Sequence, residues 1–346
     1  MSNDTGVLDG AIPPAQNTRL FGHEATAEFL AGSYRSGHLH HALLLEGPEG
    51  IGKATLAYRF AYHILTHPEA GNAPPTLDDP DPDSPVLRQI AGGASHNLMH
   101  LARPLDVKTG RVKSAITVDE VRRAGHFLSQ TSGTGAWRIV IVDPADDMNR
   151  SAANAILKIL EEPPRKTLFL VLSHAPGKLL PTIRSRCMPV RLEPLSEENM
   201  RKGLDHLGLT AHQDSAVVDA VIDNAGGSLS NALLLLRYGG LEIAETFEQI
   251  LEAGEGASRV QMHALADSLA ARDREMAYTF FCRYVLDRIS AMAVSAASTQ
   301  NLHAANHWAT TAGTLEENLA IADGYNLDRK QTVLSVFSSL FRMPAA

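Results

Sequence analysis

The stretch "GPEGIGKAT", residues 47–55, brings glycines and a lysine together at a spacing that suits phosphate. Gly47, Gly50 and Gly52 let a turn present backbone N–H groups to phosphate oxygens, and Lys53 reaches the β- and γ-phosphates. A helix starting there adds the favourable field of its N-terminus. The apolar run "ALLLE" before the loop and "ATLAYRFAYHIL" after it supply the strand and the helix that such a loop needs. The chemistry is incomplete, however. The position after the lysine, where a Ser or Thr hydroxyl coordinates Mg²⁺, holds Ala54. Thr55 is one residue further on, rotated by about 100° round the helix, and is a poor substitute. A second acidic strand, "RIVIVDPADDMN", offers Asp143 to support a metal through water. Pro144 follows it, where an ATPase of this kind carries a water-activating glutamate. Proline supplies neither a base nor an N–H. Asp146 and Asp147 are the carboxylates left for that role. ATP is therefore expected to bind weakly if at all, with Mg²⁺ only alongside it.

A second chemical signal is "LSHAPGKLLPTIRSRC", residues 172–187. Arginine suits the stabilisation of a transferring phosphoryl group because its planar fork is always charged. Reaching into a neighbour's ATP site, Arg184 or Arg186 would contribute about 10³–10⁵ in rate; a surface salt bridge is the plainer reading of the spacing. His63, His67, His96 and His100 match no compact metal site. With only two cysteines, Cys187 and Cys282, there is neither a disulfide framework nor a four-cysteine zinc site.

The elements that position these residues read as follows. "ALLLE" (42–46), "RIVIVD" (138–143) and "TLFLVLS" (167–173) are continuous apolar runs, the pattern of strands buried on both faces of a parallel sheet. "NLMHLA" (97–102) and "PVRL" (189–192) are weaker candidates. Between the strands, "TVDEVRRAGHFLSQT" opens with Thr117 and Glu120 at capping-box spacing. "SAANAILKILEEPP" sets Ala153, Ile156, Leu157 and Leu160 on one helix face and is stopped by Pro163 and Pro164. Strand–helix alternation implies an α/β domain over 18–195. The segment 68–85, rich in Pro and Asp and without Lys or Arg, is expected to be a solvated, mobile loop. From 196 onward only helical patterns remain, a group over 196–240 and longer amphipathic helices over 241–346. There Trp308, Ala312, Leu315 and Leu319, and Val333, Phe337 and Leu340, follow helical spacing, for core packing or a partner helix. The polar, acidic start, residues 1–17, is expected to be disordered. It lacks the apolar core of a signal peptide, and the apolar stretch at 276–297 is broken by charges, so a cytoplasmic protein without membrane contact is expected. A net charge of −8 excludes a surface that is basic throughout, yet residues 150–202 hold ten Lys and Arg against five Asp and Glu. That segment suits DNA, an acidic partner or a salt-bridged surface.

Together "HHALLLEGPEGIGKATLAYRFA", "VDPADDMNRSAANAILKILEEPP" and "LPTIRSRC" resemble the delta-prime family of bacterial DNA polymerase III clamp-loader subunits, from about residue 21 to the C-terminal helix. The resemblance implies an AAA+ α/β P-loop domain, a small helical lid over 196–240 and an all-α collar domain over 241–346. It implies a five-subunit ring with motor subunits and a delta subunit, which loads a sliding clamp onto primed DNA within the polymerase III holoenzyme. The delta-prime member acts there as a stator without autonomous catalysis, and Arg186, at the "SRC" position, completes the neighbouring motor's site. The resemblance also explains Ser230, where a motor carries a phosphate-sensing arginine. It puts Ser173 at a sensor position still able to bond phosphate. The cysteine-rich zinc module of some relatives is missing, so no zinc is expected.

Overall fold

A computed structural model describes residues 8–106, 112–129 and 136–341. The chain divides into two compact units, 1–230 and 231–346.

The first unit is built on five parallel strands, β1 (Ala42–Glu46), β2 (Leu98–Leu101), β3 (Arg138–Val142), β4 (Thr167–Ser173) and β5 (Met188–Arg191), in the order β2-β3-β4-β1-β5. All seven residues of β4 are buried, as the uninterrupted apolar run requires of the strand at the centre. Side chains alternate between two apolar clusters, one on each face. Leu43, Leu45, Ile139, Ile141, Leu168 and Leu170 pack under α1 (Glu24–Arg35) and α2 (Lys53–Thr66). Leu44, Val140, Val142, Phe169 and Val171 pack under α4 (Val118–Ser129) and α5 (Arg150–Glu161); the short α3 (Pro85–Ala91) precedes β2. This is the α/β P-loop architecture expected for a chain whose strands carry a phosphate loop after β1.

The helix ends follow their sequence signals. Thr117 N–H donates to Glu120 Oε2 at 3.0 Å, one half of a capping box, and the threonine hydroxyl donates to the same carboxylate at 2.5 Å. Asn149 caps α5 by accepting from the Ala152 N–H. Of the tail 1–17, residues 1–7 lie outside the described residues, and 8–17 form turns closed by Ala11 N–H to Leu8 O and Gln16 N–H to Pro13 O.

The segment 68–85 is largely exposed, as expected of a solvated loop, and it is tied to α2 and to the chain before α1. Arg59, buried on α2, donates to the carbonyls of Thr18, Leu77 and Asp78 and to Asp79 Oδ1 (2.8 Å), while Arg19 holds Asp79 Oδ2 at 2.6 Å. The two terminal nitrogens of this buried guanidinium thus tie residues 77–79 of the loop, and Thr18, to α2.

After α6 (Pro181–Arg184) and β5 the first unit ends in α7 (Glu197–His206), α8 (Ser215–Asn224) and the start of α9 (Leu229–Arg237). The second unit is helical: α10 (Gly240–Ala253), α11 (Arg259–Ala270), α12 (Glu275–Ser298), α13 (Leu302–Gly324) and α14 (Arg329–Leu340). Its core joins Phe247, Phe281 and Phe337, whose rings lie 6.0–6.2 Å apart. Beside them Arg288 holds Glu248 with two hydrogen bonds, 2.7 and 3.0 Å. Among the described residues no helix is long and apolar enough to cross a membrane.

Candidate nucleotide site and surface arginine

β1 ends beside β4, Glu46 in register with Ser173, and the loop leaves from there with Gly47 N–H donating to Ser173 O at 3.3 Å. Gly50 (φ 77°) and Gly52 (φ 105°) take left-handed conformations that a side chain would strain. At Gly47 a Cβ would come within 2.5 Å of the Leu192 carbonyl. Lys53 opens α2, buried, and its ammonium donates to the carbonyls of Gly47 (2.6 Å) and Pro48 (2.5 Å). Burial pulls its pKa down to about 8, against the opposing pull of Asp143, Glu49 and Asp146. Ala54 packs against the apolar cluster beneath α2, and Thr55 is half-buried in the same first turn.

The carboxylates after β3 are already engaged. Asp143 N–H donates to Leu101 O (2.9 Å), and its carboxylate lies 3.7 Å from His100 Nε2. Asp146 accepts from Ser173 Oγ (2.8 Å) and from the His174 N–H (2.6 Å). Asp147 pairs with Arg103 at 3.0 Å, though burial still raises its pKa. Ser173 thus bonds the acidic segment of its own chain, and neither Asp146 nor Asp147 is a carboxylate without a partner.

The segment expected to be a lid touches this loop directly. Leu229 N–H donates to Gly50 O at 3.1 Å, and a Cβ on Gly50 would collide with Ser228 Oγ and come within 2.5 Å of Ser230 Cβ. From the other side His23 Nε2 donates to the Ile51 carbonyl at 2.8 Å. Neither contact was legible in the sequence, because each spans tens of residues with no motif of its own.

Arg186 stands apart from the loop. Ile183 on α6 and Cys187 are buried in the second cluster, so the residues between them are turned outward. Burial pushes the Cys187 thiol up to about 11, so it serves as an apolar anchor. Arg184 is exposed. Arg186 is half-exposed and donates to Glu161 Oε1 (2.5 Å) and to the Thr182 carbonyl (2.9 Å). Of the predicted site residues, then, Gly47, Gly50, Gly52, Lys53 and Thr55 lie on the loop and the first turn of α2, with Ser173 bonded to Gly47 and Asp143 acting on Lys53, while Arg186 bonds Glu161 and Thr182. Among the described residues no group of three His, Cys, Asp or Glu is placed to hold a metal ion.

Residues 22–196 match the sequence family described as DNA polymerase III, delta subunit. The DNA polymerase III subunit delta' of Pseudomonas aeruginosa is 31% identical over 253 residues, 71% of this chain and 70% of that protein. The DNA polymerase III subunit tau of Escherichia coli is 26% identical over 260 residues, 75% of this chain and 36% of that protein. Among solved structures, the RuvB Holliday junction branch migration motor of Thermotoga maritima is similar at 15% identity, over 84% of this chain and 87% of its own, with a TM-score of 0.41.

Proposed function

The chain belongs to the DNA polymerase III delta-prime family, and on that premise we propose that it is the stator of a replicative clamp loader, which does not hydrolyse ATP itself. The observation that carries the reading is the engagement of the acidic segment. Pro144 replaces the water-activating glutamate, and the next two carboxylates are held by Ser173, His174 and Arg103. An ATPase needs a group there to orient water. Ala54, half-buried against the apolar cluster, adds the loss of the Mg²⁺ hydroxyl. On this reading residues 18–195 form the AAA+ domain, 196–240 the lid and 241–346 the collar. The collar joins motor subunits and a delta subunit in a five-membered cytoplasmic ring that delivers a sliding clamp to primed DNA. Arg186 enters the neighbouring motor's site and meets charge developing on the transferring phosphoryl group. A second reading, a binding module whose shape responds to ATP without turnover, keeps support from Lys53 and Asp143, both still beside the loop.

Calorimetry with ATP and an ATPase assay on the purified chain separate these. The stator reading expects no turnover above buffer; sustained turnover lost on Lys53→Ala would falsify it. In the reconstituted complex Arg186→Ala is expected to leave assembly intact and lower clamp- and DNA-stimulated ATPase. A finger is worth about 10³–10⁵ at the site it serves, and the total falls less because other sites keep theirs. Arg184→Ala is the control, and an equal loss there would mean that the whole segment is structural.

A further inference from the structure

We infer that Glu161, the last residue of α5, is a positioning residue that aims the Arg186 guanidinium; the inference rests on Arg186 acting in a neighbour's site. Three contacts define the arginine's pose. Nη2 donates to Glu161 Oε1 at 2.5 Å, and Nη1 donates to the Thr182 carbonyl at 2.9 Å and reaches Ser185 Oγ at 3.5 Å. A guanidinium is a rigid plane with five N–H donors, so acceptors on two of its nitrogens fix the plane and leave donors over for a second anion. Its backbone is fixed as well, between buried Ile183 and buried Cys187.

Helix stability gives no reason for a carboxylate at this place. Glu161 and Glu162 end α5, where the helix dipole disfavours negative charge. Nor is the pair a notable source of fold stability. Its side chains are 33% and 48% exposed, the regime in which ion pairs contribute little. What the pair does change is orientation. A free arginine side chain samples many rotamers and must be ordered when it engages. One already held in its plane presents donors that need little reorganisation as charge develops. Sequence distance hid this partnership: the two residues are 25 apart, and the glutamate lies inside a motif whose visible signal is its helix stop.

The test uses the full chain in the reconstituted clamp-loader complex, with clamp- and DNA-stimulated ATPase measured at varied ATP. Glu161→Ala is expected to lower turnover about two- to fivefold at the one site that Arg186 serves, read as a partial fall in the kcat of the whole complex with KM for ATP unchanged, the scale of one exposed charge-assisted contact. Glu161→Gln, whose amide oxygen still accepts from Nη2, should recover most of that loss. Glu162→Ala should do nothing. In an Arg186→Ala background Glu161→Ala should cause no further loss, because its effect passes through the arginine. Size-exclusion must show equal assembly for every variant. An unchanged or raised kcat for Glu161→Ala beside a lowered one for Arg186→Ala sinks this inference alone. An equal loss from Glu161→Ala in both backgrounds makes Glu161 structural and also sinks it. An Arg186→Ala complex of undiminished kcat removes the finger reading, and this inference with it.

Discussion

Lys53 shows what the phosphate loop has become at the scale of a single residue. The spacing Gly47–Gly50–Gly52–Lys53 was legible because each residue type is dictated by local backbone geometry. The partners of Lys53, the carbonyls of Gly47 and Pro48, were not, because a motif names donors and not where they turn. Burial holds the lysine's pKa at about 8, below its ordinary value. Between about pH 8 and that ordinary value the unfolded chain binds more protons than the folded one, so stability rises with pH across this window. Below it the folded protein carries a buried charge that costs on the order of 3 kcal/mol. Lys53→Met keeps the length of the side chain and removes the charge. It is expected to raise the melting temperature at pH 7, and the gain should shrink towards pH 10. Thermal melts of both proteins across that range decide. A gain that stays constant with pH would mean that the ammonium is solvated.

Among the elements, the strands were the most legible and the acidic segment the least. β1, β3 and β4 announced themselves as continuous apolar runs because both faces of a parallel sheet are covered. β1 and β4 keep the limits read from the sequence, and β3 alone is shorter by a residue, ending at Val142 while the Asp143 N–H still donates to Leu101 of β2. The segment 68–85 is largely solvated as read, but its anchor was not legible because the counter-charge is not in it. That charge is Arg59, in the middle of a helix whose other residues signal a core face. The clasp has a measurable consequence. Arg59→Met removes the donor to three carbonyls as well as to Asp79, and is expected to cost about 2–4 kcal/mol in denaturant titrations. It should also bring proteolytic cleavage into 68–85 before the sheet unfolds. Asp79→Ala leaves Arg59 with its carbonyl acceptors and is expected to cost about 1 kcal/mol or less. Equal effects of the two substitutions would show that the ion pair, not the carbonyl clasp, holds the loop.

On the scale of the whole molecule, the chain is two units with separate cores, and this separation decides how assembly can be tested. Every buried residue of the two sheet clusters lies between Ala27 and Leu192, within the first unit. The aromatic core of Phe247, Phe281 and Phe337 lies wholly in the second. Along the second unit Val294, Leu302, Ile321, Tyr325 and Leu327 are exposed. Single exposed apolar residues are ordinary, but several on two neighbouring helices and the turn after them suit contact with other helices. If the C-terminal helices are the collar, a fragment of residues 1–230 keeps both sheet clusters and loses the assembly surface. It is expected to give a cooperative thermal transition by circular dichroism, since a domain with its own core folds alone. Mixed with the motor and delta subunits on a size-exclusion column, it should elute as a free monomer where the full chain enters the complex. Co-elution of the folded fragment at the affinity of the full chain would place the assembly surface on the sheet domain. The exposed apolar residues of the second unit would then need another partner.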